Sequence, residues 1–509
     1  MKLFPPTGII LILLLVVGAA LVGRAAGLTI LRPETFAPQI ERFNGMEPET
    51  ITNAIPNAQA WNWLQQEIPF FECPDREIEE MYYFRWWAFR KHLVATTNGF
   101  VFTEFLTRAT PVSSALGHQI AEGRWLRDQQ YLDDYVGYWL RTTNTLQQLH
   151  KYSSWLEAAL YQRYLVTAET NFLVAHLADW TRDYRQWEEE RQTTNGLFWQ
   201  YDVRDAMEES ISGSRTQKNL RPTINSYMFG NATAIAAIAR LADDQKLARE
   251  FAGKADRLQK LVLANLWNDR AQFFEVRRAD EKFSDVREEL GFIPWMFGLP
   301  ADQKKFAVAW QQLTSPQGFA APFGFTTAER RHPQFRTHGF GHCEWDGAVW
   351  PFATSQTLTA LANVLRARHL AGVTAADYFD VFSTYVHSQH AAGQPYIGEY
   401  LDETTGEWIN GKDGRSRDYN HSTFADLVIT GIVGLVPRAD RTVEIFPLLP
   451  AGVWNYFCLD GVNYHGHPLT IFWDATGNRY QRGSGLTVLA DGKVIAHSQK
   501  LAKLTGKLP

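Results

Sequence analysis

Apolar residues recur at helical spacing over most of the chain. In 132–152, Leu132, Tyr135, Val136, Trp139, Leu140, Leu146 and Leu149 form a broad stripe that predicts a helix. The pattern returns in 155–166 and 171–187, with a turn at 152–154 after the first segment. Two further pairs follow, 224–241 with 243–266 and 355–369 with 375–390. Helices of this length on short connections predict helical hairpins stacked in sequence. About ten to twelve helices fit, at about 30 residues for a helix with its loop. Between hairpins lie 195–223, 315–350 and 395–423, rich in Gly, His and aromatics. Loops that long in a compact body usually carry function.

From about residue 438 the period changes to two. Segments 442–448, 467–474 and 484–498 read as strands, the last turning back at Asp491–Gly492. Ahead of the helices, 28–60 is polar, with Pro33, Pro38, Pro48 and Pro56, and reads as an arm over the body. At the start, Lys2 precedes an apolar run over 8–23 and small residues at 23–27. That is the order of a secretory signal peptide, and the run is short for a membrane span of about 20 residues. The expected division is a signal peptide (1–27), an arm (28–60), a helical domain (61–437) and a C-terminal β domain (438–509). The mature chain is expected to be secreted or periplasmic and to lack a membrane span; an uncleaved N-terminal anchor is the rival.

Composition narrows the function. Among 509 residues, 50 Lys and Arg face 55 Asp and Glu, a net charge of −5, which excludes the basic footprint of a nucleic-acid binder. With 45% hydrophobic and 21% charged residues, the chain is an ordinary folded protein. The 18 Trp are unusual. Aromatic faces pack cores, but they also cover the C–H faces of sugar rings. Cys73, Cys343 and Cys458 cannot make a disulfide scaffold or a four-Cys zinc site, so buried thiols are expected. His338 and His342, and His387 and His390, lie close together without the carboxylate–His pattern of zinc enzymes. No metal and no cofactor are expected, and no G-x-S-x-G elbow, phosphate loop or dinucleotide fingerprint is present.

Glycoside hydrolysis needs two carboxyl groups, one protonated and one ionised, flanking the bond to be cut. Segment 195–214 offers Asp202, Asp205, Glu208 and Glu209 beside Phe198, Trp199 and Tyr201. Clustered carboxylates push one another toward protonation, which suits a general acid; an acidic helix start is the plainer explanation. Segment 396–429 offers Glu399 between Tyr396 and Tyr400, which taken alone is more often a solvated or capping glutamate than a catalytic base.

The motifs together are more specific. GEYLDETTGE (398–407) resembles the E-Y-x-D-x-x-T-G-E segment of mannosylglycerate hydrolases, processing α-glucosidases and their bacterial relatives. The resemblance implies that Glu399 is the general base. Ala206-Met207-Glu208-Glu209-Ser210, followed by Ile224-Asn225-Ser226-Tyr227, resembles the family's Gly-Met-Asp-Asn-Ser and its Leu-Asn-Ala-Tyr helix start. It implies Glu208 as the acid and Asn225 as a substrate contact. Glu stands here for the family's Asp, which leaves Asp205 as the rival acid. CEWDGAVWP (343–351) is similar to the W-R-G-P-V-W-P loop that lines the sugar pocket, with Trp345 and Trp350 as stacking platforms. Asp346 replaces the common Arg, so the sugar recognised is expected to differ.

Upstream, 71–93 and 122–139 follow the pattern of bacterial members of the group. Glu122, Arg124, Trp125 and Asp128 either line the pocket or form a buried ion-pair network, and Arg85, Trp86 and Trp87 pose the same choice. The resemblance covers about 195–440 and implies an (α/α)6 toroid with a small C-terminal antiparallel β domain. Hairpin pattern alone would equally describe a solenoid. The implied function is a secreted, inverting glycoside hydrolase with a carbohydrate substrate. Trp199, Trp345, Trp350 and Tyr396 would shape the pocket, and Asp346, Asn420 and His421 would bind hydroxyls. Two rivals remain open: a polysaccharide lyase that recruits Tyr227, His342 and Arg124, and a glycan-binding protein without catalysis.

Overall fold

Helices of two sequence types alternate along the chain, and this sorts them into two rings. The computed structural model describes residues 28–509 apart from 48, 52, 109, 142–147, 301–303, 339–342, 368–371 and 410–415; the expected signal segment lies outside the described residues. Helix Pro222–Leu241 is buried on nearly every side, whereas its partner Gln245–Asn265 buries only Ala248, Phe251, Ala255, Leu258 and Val262. An all-round apolar helix belongs inside, and a helix with one apolar stripe belongs outside. Pro351–Arg366 and Ala375–Ser388 repeat the inner and outer roles and pack together. Proline opens both inner helices at the position where a missing N–H is harmless. The outer helix Ala375–Ser388 starts with a Thr374–Asp377 capping box. The result is an (α/α)6 toroid with a small antiparallel β domain.

Local differences from the sequence reading have physical causes. Of the stripe over 132–152, the helix Gln130–Leu140 holds the first part, and 142–147 lie outside the described residues. The segment 171–187 breaks at His176 into Asn171–Ala175 and Leu177–Arg191. The arm holds helix Ala37–Gly45, and helix Ala60–Glu67 begins at its last residue. Arg76–Lys91 forms an unanticipated helix, capped by the Asp75 carboxylate on the Glu77 and Ile78 N–H groups. It carries Arg85, Trp86 and Trp87 into the core, where Arg85 donates to Gln389 and to the carbonyl and hydroxyl of Ser422.

The main sheet has five antiparallel strands in the order Phe70–Glu72, Tyr456–Tyr464, His467–Asp474, Gly485–Ala490 and Lys493–Ser498. Its first strand comes from the segment ahead of helix Arg76–Lys91, so the sheet is not built from C-terminal residues alone. A bulge between Asp460 and Val462 turns at Gly461, whose φ is 78°. The Asp460 carboxylate accepts the backbone N–H groups of Thr29, Ile30 and Leu31 at 2.7–3.1 Å, which stitches the start of the arm to the sheet.

The fold fixes where a pocket can form. Residues 103–115, 151–155, 205–221, 343–350 and 396–424 each lead into the N-terminus of a helix: Leu116–Gly123, Leu156–Thr167, Pro222–Leu241, Pro351–Arg366 and Ala425–Leu427. Side chains from all of these leader segments line one cavity.

Candidate active site

The strand pair Trp199–Gln200 and Asn219–Leu220 forms the stem of the loop that carries Glu208. Behind the loop, Asp205 is fully buried; Ser153 Oγ donates to it at 2.5 Å and Arg221 Nε at 2.6 Å. Ala206 (φ 57°) and Glu209 (φ 64°) both adopt the left-handed backbone that disfavours side chains, at a cost of about 1–2 kcal/mol per residue. Between them Glu208 enters the cavity while Asp205 stays outside it. The Trp345 N–H donates to the Glu208 carbonyl at 3.4 Å and ties this loop to the tryptophan loop. Burial first, and then the charge of Glu399, pushes the Glu208 carboxyl up to about 7. A carboxyl that holds its proton near neutrality can act as a general acid.

Glu399 lines the same cavity and is 5% exposed. Its segment is held by a two-way bridge between Leu401 and Val349, with N–H to carbonyl distances of 3.0 Å. Ser416 Oγ donates to Glu399 Oε2 at 3.0 Å and the Tyr419 hydroxyl donates to Oε1 at 3.4 Å.

The rest of the lining includes Glu104, Phe105, Arg108, Tyr152, Cys343, Trp345, Trp350, Phe352 and His421. Trp350 is stacked on Trp345 (4.5 Å, 23°) and on Tyr400 (4.5 Å, 10°). It is the middle ring of that stack and braces the wall, which corrects its expected role as a platform; Trp345 is the end ring. His421 is buried and burial holds it neutral. Tyr152 is half-buried, and burial followed by the charges of Glu208 and Glu104 pushes it up to about 12, so it stays a hydroxyl.

Several expected contacts lie elsewhere. Trp199 is covered by Arg191 and Lys218, 4.7 and 4.6 Å from its ring. Arg124 and Trp125 both donate to Asp426, at 2.6 and 2.7 Å, and Glu122 accepts the N–H groups of Phe424, Ala425 and Asp426. These residues form the buried network between hairpins. Asp128 is exposed and caps Gln130. Asn225 clamps both backbone groups of Phe198 at 2.8 Å. Asn420 lies behind the pocket wall, bonded to Thr103, and Asp346 is fully buried against His338 at 2.7 Å. Tyr396 packs on Trp408. The lyase residues do not assemble either: Tyr227 is buried with Gln356 at 2.7 Å, Arg124 is paired, and His342 lies outside the described residues.

Sequence reasoning missed Glu104, Phe105, Arg108, Tyr152 and Tyr419, none of which sits in a recognisable motif. Among the described residues, no group of three or more His, Cys, Asp or Glu side chains could hold a metal ion, and no helix is long and apolar enough to cross a membrane.

Residues 109–422 match the model of the mannosylglycerate hydrolase MGH1-like glycoside hydrolase domain. The chain belongs to the MGH1-like glycoside hydrolase family. Residues 438–497 match the C-terminal domain of glycosyl hydrolase family 65. A solved structure named a sialidase is 49% identical over 94% of this chain, with a TM-score of 0.91. This chain spans only 45% of that one's length. The family 63 mannosylglycerate hydrolase from Thermus thermophilus, in complex with Tris, is 11% identical, with a TM-score of 0.53 over 69% of this chain and 99% of that one. The family 78 rhamnosidase of Bacillus sp. GL1 is 14% identical, with a TM-score of 0.54 over 80% of this chain and 40% of that one. The two distant structures share the fold. Residues 109–422 are thus, by family, a glycoside hydrolase domain.

Proposed function

We propose that this glycosidase inverts the anomeric centre, with Glu208 as general acid and Glu399 as general base. The observation that carries the reading is that both carboxyls line one pocket and Glu208 holds its proton up to about 7, partly because Glu399 is charged. The Glu208 O–H donates to the glycosidic oxygen as the bond to the anomeric carbon breaks. Glu399 takes a proton from the water that attacks the opposite face. The turn ends with Glu208 ionised and Glu399 protonated, and exchange with solvent resets both. Such a pair stands about 6.5–9.5 Å apart, leaving room for the water. The test is proton NMR of the first product anomer, with the purified protein turned over on a panel of oligosaccharides and aryl glycosides. Retention of configuration would overturn the reading.

The pocket rim supports a substrate class. A mannosylglycerate hydrolase and a sialidase, by their names, act on glycosides bearing a carboxylate. Arg108 and Lys151, both exposed, line this pocket and would pair with such a group. Acidic glycosides are therefore the first to try, and Arg108→Gln should raise their KM more than that of neutral ones. Export is supported by the apolar run at 8–23, and N-terminal sequencing of native protein should find cleavage near residues 26–28. An intact Met1 on cytosolic protein would contradict it.

A further inference from the structure

The cations at the pocket mouth do not stop at the rim. Lys151 lies against the ring of Tyr152, 5.5 Å from its centre, and both residues line the cavity. The next residue, Ser153, donates its N–H to the Arg204 carbonyl at 2.8 Å, and the Arg204 N–H donates to the Tyr201 carbonyl at 3.0 Å. The Tyr201 ring meets Trp199 edge-on at 5.1 Å. Trp199 in turn carries Arg191 at 4.7 Å and Lys218 at 4.6 Å from its ring. An unbroken run of contacts thus leads from the cavity, along the loop that carries Glu208, to the stem of that loop. Lys151 and Lys218 are exposed, and Arg191 and Arg204 are half-buried.

Cations gathered like this usually draw carboxylates, yet the carboxylates of this region are committed elsewhere. Glu190 is held by His150 at 3.3 Å and Gln186 at 2.9 Å, and Glu209 by Arg215 at 2.6 Å. Asp205 is paired with Arg221, and Asp202 is buried and accepts the Val203 N–H at 2.8 Å. Among the described residues, none of Arg108, Lys151, Arg191, Arg204 and Lys218 has a carboxylate within ion-pair distance. The whole chain carries a net charge of −5, so this positive strip is local and not the overspill of a basic protein. A local field of that kind concentrates polyanions along the strip.

We propose that the strip is a subsite for the leaving-group side of an acidic glycan, whose sugars beyond the scissile bond carry repeated carboxylate or sulfate groups. The inference rests on Glu208 being the acid: the acid stands beside the leaving group, so that part of the glycan crosses the loop of Glu208. A single carboxylate in the pocket needs only Arg108 or Lys151. Cations spaced along the outside of the loop match charges repeated along a chain, and Arg guanidinium groups bind carboxylate or sulfate oxygens in pairs. Trp199 serves here as the scaffold on which Arg191 and Lys218 rest.

Equilibrium binding to the full chain tests this, by calorimetry with oligogalacturonate, dextran sulfate and neutral dextran. An acidic probe should bind and dextran should not, and the affinity should fall as added salt screens the strip. The tighter of the two acidic probes tells carboxylate from sulfate. Arg204→Gln and Lys218→Gln should each weaken that binding about two- to five-fold, and the double variant by about tenfold, with melting temperature near wild type. Lys493→Gln, on the edge strand of the β domain, should bind like wild type. None of this needs turnover, so it stands apart from the product-anomer test of Glu208 and Glu399. On a glycoside that is cleaved, the double variant should raise KM more for an acidic oligosaccharide than for an aryl glycoside of the same sugar. The proposal is overturned if neither acidic probe binds, if dextran binds as well, if the double variant binds like wild type, or if Lys493→Gln weakens binding as much.

Discussion

The two loops that carry the carboxyls proposed as acid and base are built in opposite ways. The acid loop holds Glu208 between two left-handed residues, with its neighbour Asp205 spent on a buried ion pair to Arg221. The base segment keeps ordinary backbone at Glu399, and Ser416 and Tyr419 donate to the carboxylate. An acid must hold its proton, so burial near a like charge serves it and donors to its ionised form would defeat it. A base must stay ionised in a pocket that penalises charge, so it needs those donors. Chemistry divides the labour, and the backbone follows.

The most damaging change to this contrast is at the base. Glu399→Gln removes the proton acceptor and should lower kcat by more than the about 10²–10⁴-fold typical of one acid–base group. Sugar binding and melting temperature should stay near wild type, as read by calorimetry. Glu208→Gln should cost about 10²–10⁴-fold on poor leaving groups and little on activated aryl glycosides. It should also abolish the fall of kcat/KM as pH rises through about 7, because ionisation of Glu208 causes that fall. Asp205→Ala should act on stability, by about 3–5 kcal/mol in denaturant unfolding, since it strands the Arg221 charge in the core. If Asp205→Asn instead produced the leaving-group dependence, the acid assignment would move to Asp205.

Legibility in the sequence followed how local each signal is. The β-rich segment 467–474 appears as the strand His467–Asp474 to the residue. The strand Tyr456–Tyr464 escaped because its bulge at Asp460–Gly461 breaks the alternation. Helix Arg76–Lys91 escaped because its aromatic run is buried almost all round and leaves no polar face to set a period. Glu208 and Glu399 were legible because each sits in a short motif. Glu104 was not: it shares its pocket with Glu208 and Glu399, and only the closed ring of helices brings them near. Trp199 and Arg124 misled because residue type alone does not say whether a large side chain faces a ligand or a neighbouring helix.

The smallest effect sharpens the contrast through stability. In the fold, Glu208 titrates at about 7, above the ordinary 4.5 of the unfolded chain. Below 4.5 both states are protonated, so the carboxyl imposes no penalty. Between 4.5 and 7 the unfolded chain ionises while the folded one keeps its proton, and stability falls as pH rises. Above 7 both are ionised and the loss is constant. Glu208→Gln removes this dependence, so its melting temperature should match wild type at pH 4.5 and exceed it by about 1–3 °C at pH 8. A wild type that gains on the variant as pH rises would mean that Glu208 is stabilised as a carboxylate. The loop would then be built for a base, and the division of labour between the two loops would be reversed.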